Sequence, residues 1–347
     1  MATYKAYGVP SAAAKAELMD IPCPELGAAD VEIDVTHCGI CHSDVSLADG
    51  EWGPFSVFPQ ICGHEAVGTV AKVGSAVTHL KPGMRVGVGW QRASCMSCQY
   101  CKIGEGECCI DKASGCVPTC AGGGKGGFAK KLFVMAEYAI EIPEKLASED
   151  VGPLFCGGIT VYKPLAKYAK PGMRVGVVGI GGLGHMAVLF AKAMGCSVTA
   201  YSTSKAKEEL AKQLGADQYV VSTDEAAMAA GAEDPAIDVM IVTINQTSDP
   251  SKDWATYASH LKMKGAMVFV GAVLNPVPIT MFGPPILKDL VFAGSHIGGP
   301  KEIKEMLQVA ADKGVKPMVE VLPFDQINTA LDKVRDNSCR FRMVLKW

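Results

Sequence analysis

Long apolar runs are missing from this chain: none reaches the roughly 18 residues that a membrane-crossing helix requires. A basic excess is missing too, with 33 Lys and Arg against 36 Asp and Glu and a net charge of -3. Neither nucleic acid nor an anionic membrane is therefore an expected partner. The N-terminal stretch MATYKAYGVP carries neither the apolar core of a signal peptide nor the Arg/Ser-rich character of a transit peptide. The expectation is a cytoplasmic protein. Without a secretion signal, the fourteen cysteines of this 347-residue chain do not read as a disulfide scaffold; metal ligation and free thiols are the expectation.

What is present suggests two domains of different character. Residues 1–150 are β-rich and irregular: Val31–Thr36 alternates apolar and polar residues, and strands over Gly63–Gly74 and Arg85–Val88 are separated by Gly and Pro turns. Gly122–Gly127 reads as a flexible loop at most. Beyond Ser148, strands and helices alternate. Ser197–Tyr201, Gln218–Val221, Ile237–Ile244 and Ala266–Val270 read as strands, Lys252–Leu261 as a helix, and Ser204–Leu214 as a helix capped by Ser204. That order implies βαβ units and a parallel sheet. A terminal part from Gly294 holds a helix at Lys301–Lys313 and closes on the strand Phe341–Leu345.

At the start of the alternating region, Val175, Val177 and Val178 form a buried-type strand. The turn Gly179-Ile180-Gly181-Gly182-Leu183-Gly184 follows, and then an apolar helix from Met186. Strand, G-x-G-x-x-G and helix in that order suit a dinucleotide pyrophosphate, received by backbone N–H groups at a helix start. No Gly-Lys-Ser/Thr follows, which excludes a Walker-type phosphate loop.

Cys95, Cys98, Cys101 and Cys109 follow C-x2-C-x2-C-x7-C. Four close thiolates suit a closed, tetrahedral structural Zn²⁺. A bacterial-type iron–sulfur run would place its fourth cysteine after three residues and then a proline. A nucleic-acid zinc ribbon would bring basic residues where Glu105 and Glu107 stand. Cys108 competes with Cys109 for the fourth position. A second set, Cys41, His64 and Cys156, has the composition of a catalytic zinc site with an open fourth position, although spacing alone does not assemble it.

The motifs GICHSD, GHEAVG, the four-cysteine run, FCGGIT and GIGGLGH occur in the order found in zinc-dependent medium-chain alcohol dehydrogenases. The pattern most resembles the cinnamyl alcohol dehydrogenase branch, over nearly the whole chain. The resemblance implies an α/β protein: a GroES-like β-rich catalytic domain (1–150, with both zinc sites), a Rossmann nucleotide-binding domain (151–293), and a C-terminal segment (294–347) returning to the catalytic domain. It implies Cys41, His64 and Cys156 as ligands of a catalytic zinc, with Glu65 beside the metal and able to enter its coordination. Asp44 would orient the imidazole of His64, and Ser43 would hydrogen-bond the alcohol and start a proton relay. Ser46 stands where many relatives carry a histidine; either Ser46 passes the proton through water, or His42 or His37 takes over, His42 being the better fit to a place near the cofactor. Thr160, Val270, Gly271, Ser295 and Ile297 match positions lining the nicotinamide side, and Arg340 is a further candidate for the pyrophosphate. Relatives are typically homodimers.

NAD-selective domains of this type carry an acid at the end of the second strand, bonded to the ribose. Here that position is Ser202, followed by Thr203, Ser204, Lys205 and Lys207, with no carboxylate before Glu208. Hydroxyls and lysines accept a 2′-phosphate that a carboxylate would repel, so NADP(H) is expected. Trp52 and Trp90 are the best candidates to line a substrate channel; Phe55 and Phe58 read equally well as core. An apolar aromatic pocket suits aromatic or medium aliphatic aldehydes, and NADPH favours aldehyde reduction. Two other readings compete: an NAD-dependent polyol or formaldehyde-type dehydrogenase, and a non-catalytic zinc or redox-sensing protein in which Cys116 and Cys120 form a regulatory disulfide.

Overall fold

The computed structural model describes residues 2–112, 115–244, 254–272 and 276–347. They form two compact units. The first comprises 1–159, 297–312 and 316–347; the second comprises 160–296 and 313–315.

The first unit is built on a seven-stranded sheet. Its spatial order is Val319–Pro323, Arg342–Lys346, Asp30–Ile40, Ala66–Val73, Arg85–Val88 and Ile140–Glu141, with Lys131–Met135 also paired to Asp30–Ile40. Asp30–Ile40 extends the strand expected over Val31–Thr36, because its odd positions Val31, Ile33 and Val35 fill one continuous core with Leu132, Val134, Met343 and Leu345. Its antiparallel partner Ala66–Val73 is registered Cys38 opposite Ala66. This register brings the chain after Ile40 beside the chain before Ala66. The glycine-rich run 122–127 is tied down rather than loose: Gly126 N–H donates to Ile61, Gly127 N–H to Gly63, and Phe128 N–H to Cys62.

The second unit is a six-stranded parallel sheet. Its order is Gln218–Val221, Ser197–Ser202, Arg174–Val178, Ile237–Val242, Leu261–Phe269 and Val291–Gly294. Numbered along the chain this is 3-2-1-4-5-6, the doubly wound Rossmann arrangement, in which ligands bind where the order reverses. The inner strands are near-continuous apolar runs, as burial on both faces demands: Val175, Val177, Val178, Val239, Met240, Ile241 and Val242 are all buried.

Two local expectations are corrected. Ser204 takes an extended N-cap conformation (φ -142°, ψ 157°), but its side chain caps nothing, and a short 3₁₀ turn, Lys205–Lys207, precedes the helix Glu208–Gln213. Of the helix expected over Lys252–Leu261, Lys252 and Asp253 lie outside the described residues, and only Ala255–Ala258 is α-helical. Leu261 already opens the strand Leu261–Phe269, which pairs with Ile237 through a register shift, while Lys262 Nζ holds Asp238 at 2.9 Å. No helix among the described residues is long and apolar enough to cross a membrane.

Candidate active site

The helix His42–Ala48 starts where strand Asp30–Ile40 ends, and one carboxylate organises the junction. Asp44, at the third helical position, accepts the N–H of the N-cap residue Cys41 on Oδ2 at 2.9 Å. Its Oδ1 accepts Gly63 N–H at 2.8 Å and His64 Nδ1–H at 3.0 Å. A carboxylate on Nδ1 assigns the proton to that nitrogen and leaves the Nε2 lone pair facing away from Asp44. There Nε2 meets Cys156 Sγ at 3.3 Å, and Cys156 Sγ lies 3.9 Å from Cys41 Sγ. Cys156 is delivered from the far side by the turn Gly152–Phe155, whose Phe155 packs where side chains at Gly87 and Gly89 would stand.

Cys41, His64, Glu65 and Cys156 thus offer ligand atoms all within 4.8 Å of one another. Around a tetrahedral Zn²⁺ with ordinary Zn–S and Zn–N lengths, sulfur atoms stand about 3.8 Å apart and sulfur to nitrogen about 3.5 Å. The observed separations fit that geometry. Glu65 Oε1 pairs with the Arg342 guanidinium, and its Oε2 is buried without a partner.

The close approach of these groups shifts their proton affinities. Burial works against a charged His64, but the Asp44 carboxylate overcomes it and raises the imidazole well above its usual range. The Cys156 thiol donates to Cys41, holding Cys41 well below the ordinary thiol range and Cys156 well above it. Burial pushes the Glu65 carboxyl up to about 7, with Arg342 opposing that rise.

Ser43 is half-buried, with Oγ 3.7 Å from Cys41 Sγ. Ser46 is buried one turn later in the same helix. His42 is exposed at the helix start; His37, on the preceding strand, makes a 3.0 Å contact with Thr36 Oγ1. Trp90 meets the His64 ring edge-on, centroids 5.1 Å apart, and Trp52 stands edge-on to Trp90 at 5.8 Å. Phe58 packs on the core, whereas Phe55 is 58% exposed and belongs to no core.

Cys95, Cys98, Cys101 and Cys109 converge as a second cluster, with Cys109 rather than Cys108 completing the set. Sulfur separations of 3.8 Å (Cys95–Cys101) and 4.0 Å (Cys98–Cys109) again suit a tetrahedral ion. Backbone N–H groups of Ser97 and Cys98 point at Cys95 Sγ and lower that thiol to about 6; burial pushes Cys101 up to about 12. Cys116 and Cys120 do not form a disulfide. Cys116 feels Glu107, Cys109 and Cys108, whereas Cys120 lies behind His64.

In the second unit, Gly179 leaves strand Arg174–Val178 at φ +90°, a conformation favouring glycine. Helix Gly184–Ala193 packs so closely that a side chain at Gly184 would collide with the Gly179 carbonyl. At Gly181 a Cβ would meet nothing within 4 Å, leaving the turn's outer face open beside Gly182 and Leu183. This is a cradle shaped for a pyrophosphate. Thr243 Oγ1 braces it with bonds to the Val178 and Gly179 carbonyls. Ser202 ends its strand half-buried, and Thr203, Ser204 and Lys205 are exposed. Lys207 Nζ donates to the Ile180 carbonyl at 2.9 Å, so this lysine ties the segment to the turn. Thr160, Val270, Gly271 and Ser295 are half-buried in this unit, with Ser295 Oγ donating to the His296 carbonyl. Ile297 is buried in the first unit, where Arg340 is exposed and its backbone N–H donates to Glu320.

Three participants were not singled out from sequence: Arg342, Lys207 as a brace, and Cys120 behind His64. Only Arg342 left a signal, a cation inside the otherwise apolar strand FRMVL, since a buried charge requires a partner.

Residues 27–144 match the family model described as alcohol dehydrogenase GroES-like domain, and residues 182–312 that described as zinc-binding dehydrogenase. Aldehyde reductase AdhA from Synechocystis sp. is 38% identical, with 98% of each chain covered. The structure of a cinnamyl alcohol dehydrogenase, SbCAD4, from Sorghum bicolor superposes with a TM-score of 0.91 at 37% identity, covering 99% of this chain and 98% of that one. A cinnamyl alcohol dehydrogenase from Helicobacter pylori, complexed with NADP(H), gives 0.86 at 30% identity, covering 99% and 98%.

Proposed function

The chain belongs to the zinc-dependent medium-chain alcohol dehydrogenases, in the cinnamyl alcohol dehydrogenase branch, and from that premise we propose an NADP(H)-linked reductase of aromatic or medium aliphatic aldehydes. The observation that carries this reading is the convergence of Cys41, His64 and Cys156, with Asp44 bonded to the opposite side of the imidazole. These three residues would hold the reactive Zn²⁺, with Glu65 beside it, and Cys95, Cys98, Cys101 and Cys109 would hold a structural one. The bound zinc supplies Lewis acidity toward the substrate oxygen, and bound NADP(H) supplies or accepts hydride.

The chain's own residues do the rest. Asp44 fixes the imidazole tautomer and the start of the Ser43 helix together. Ser43 Oγ, beside Cys41, exchanges a proton with the substrate oxygen. Ser46, one turn later on the same helix, carries the next hydroxyl. Trp52 and Trp90 make an apolar wall by His64 that favours flat or alkyl aldehydes over polyols and excludes water.

In the nucleotide-binding unit, the turn Gly179–Gly184 receives the pyrophosphate. Ser202, Thr203, Ser204 and Lys205 receive the 2′-phosphate, and the lack of a carboxylate there disfavours the NAD-dependent polyol or formaldehyde reading. Thr160, Val270, Gly271 and Ser295, all in this unit, are assigned to the nicotinamide side.

The homodimer we assign uses strand Val291–Gly294, at the edge of the six-stranded sheet, as the pairing surface. Exposed Met281, Phe282, Ile286, Leu287 and Val291 cluster in sequence about it, Phe282 at 81%. The cytoplasmic setting we assign rests on the sequence, whose fourteen cysteines are read as metal ligands and free thiols.

The test is a panel of cinnamaldehyde, benzaldehyde and hexanal with NADPH and NADH. Zinc-dependent turnover with NADPH preferred is expected; no turnover on any of the three would overturn the reading.

A further inference from the structure

The loop returning from the four-cysteine lobe ends against the back of His64. Cys120 is fully buried there, its Sγ 3.8 Å from His64 Nδ1 and 3.9 Å from Asp44 Oδ1. Asp44 and Cys120 approach the same ring nitrogen, so the three side chains are no nucleophile–base–acid relay, which needs opposite nitrogens. The sulfur instead sits in the fork between imidazole donor and carboxylate acceptor, with its S–H directed to Asp44 Oδ1.

Hydrogen bonds to main-chain carbonyls hold it there. Gln60 Nε2 donates to the Cys120 carbonyl, Thr119 N–H to the Trp90 carbonyl at 2.7 Å, and Thr119 Oγ1 to the Gly89 carbonyl at 2.7 Å. The same strap therefore anchors Trp90, whose ring lies against His64. It braces the imidazole on its Nδ1 side, opposite Cys156.

We propose that Cys120 is a positioning residue of the reactive metal site. Its thiol is the third donor on Asp44 Oδ1, beside Gly63 N–H and His64 Nδ1–H, and it holds the Asp44–His64 pair so that Nε2 faces Cys41 and Cys156. The inference rests on Cys41, His64 and Cys156 being metal ligands. Outer partners of a metal-bound imidazole change metal affinity by about 10–100-fold. A thiol is a weak donor, which places Cys120 at the lower end.

The experiment follows zinc release from the holoprotein to a chromogenic chelator in wild type, C120S and C120A. The kinetic phase that disappears in His64→Ala identifies the reactive site. In C120A that phase is expected to be about tenfold faster, while C120S, whose hydroxyl is a donor on a shorter bond, falls between C120A and wild type and the other phase is unmoved. Ser and Ala fill nearly the same space, so equal acceleration in both would mean a packing role and overturn the proposal, as would an unchanged rate in C120A. Should C120A fail to fold, C120V replaces it, having the volume but no donor. A wild-type protein without any His64-dependent phase defeats the metal reading and this inference together; a wild-type phase that C120A leaves unmoved defeats this inference alone.

Discussion

Arg342 and Glu65 form a buried ion pair across 277 residues of chain, joining the C-terminal strand to the residue that follows His64. Burial opposes the charged guanidinium, yet the Glu65 carboxylate holds its pKa above the usual arginine value. The C-terminal segment thereby reaches the group of Cys41, His64, Glu65 and Cys156 directly.

Truncating one partner leaves the other charge buried alone. Arg342→Leu should therefore destabilise the protein by about 3–5 kcal/mol, read as a lowered denaturation midpoint in urea. A change below about 1 kcal/mol, the size of an exposed pair, would show that the pair does not hold the strand to the site.

Asp44→Asn removes the carboxylate that orients His64. Zinc affinity at the reactive site should fall about 10–100-fold, measured by chelator competition, with the four-cysteine zinc retained. Unchanged affinity would remove Asp44 from the site's architecture.

Ser202→Asp places a negative charge where a 2′-phosphate is expected. The ratio of kcat/KM with NADPH to that with NADH should drop at least about tenfold, equivalent to about 1.4 kcal/mol. Lys205→Ala should lower the ratio less. Lys207→Ala should instead weaken both cofactors alike, because Lys207 holds the Ile180 carbonyl of the glycine-rich turn. A selective loss of NADPH use in Lys207→Ala would contradict that division of labour.

Ser43→Ala should leave zinc content intact and lower kcat by about 10²–10⁴-fold, the usual scale for losing a positioned proton-transfer group. Retained kcat would transfer the proton step to another residue.

The parallel sheet and its glycine-rich turn were legible in sequence because their signals are local: an apolar strand, three spaced glycines and a helix all lie between Arg174 and Met194. The four-cysteine cluster was legible for the same reason. The meeting of Cys41 and His64 was not, because it depends on the antiparallel register of Cys38 against Ala66. Cys156 arrives through a turn packed on Gly87 and Gly89, a contact no spacing encodes. The family resemblance supplied what periodicity does not. The Ser204 cap misled because a serine before a helical pattern is only a local preference, and here the chain makes a 3₁₀ turn first.

Asp44 accepts the N–H of Cys41, the N-cap residue of its own helix, with one oxygen and the imidazole proton with the other. Unwinding the start of the seven-residue helix His42–Ala48 would therefore displace the carboxylate that orients His64. The short helix and the buried imidazole are thus coupled through a single side chain.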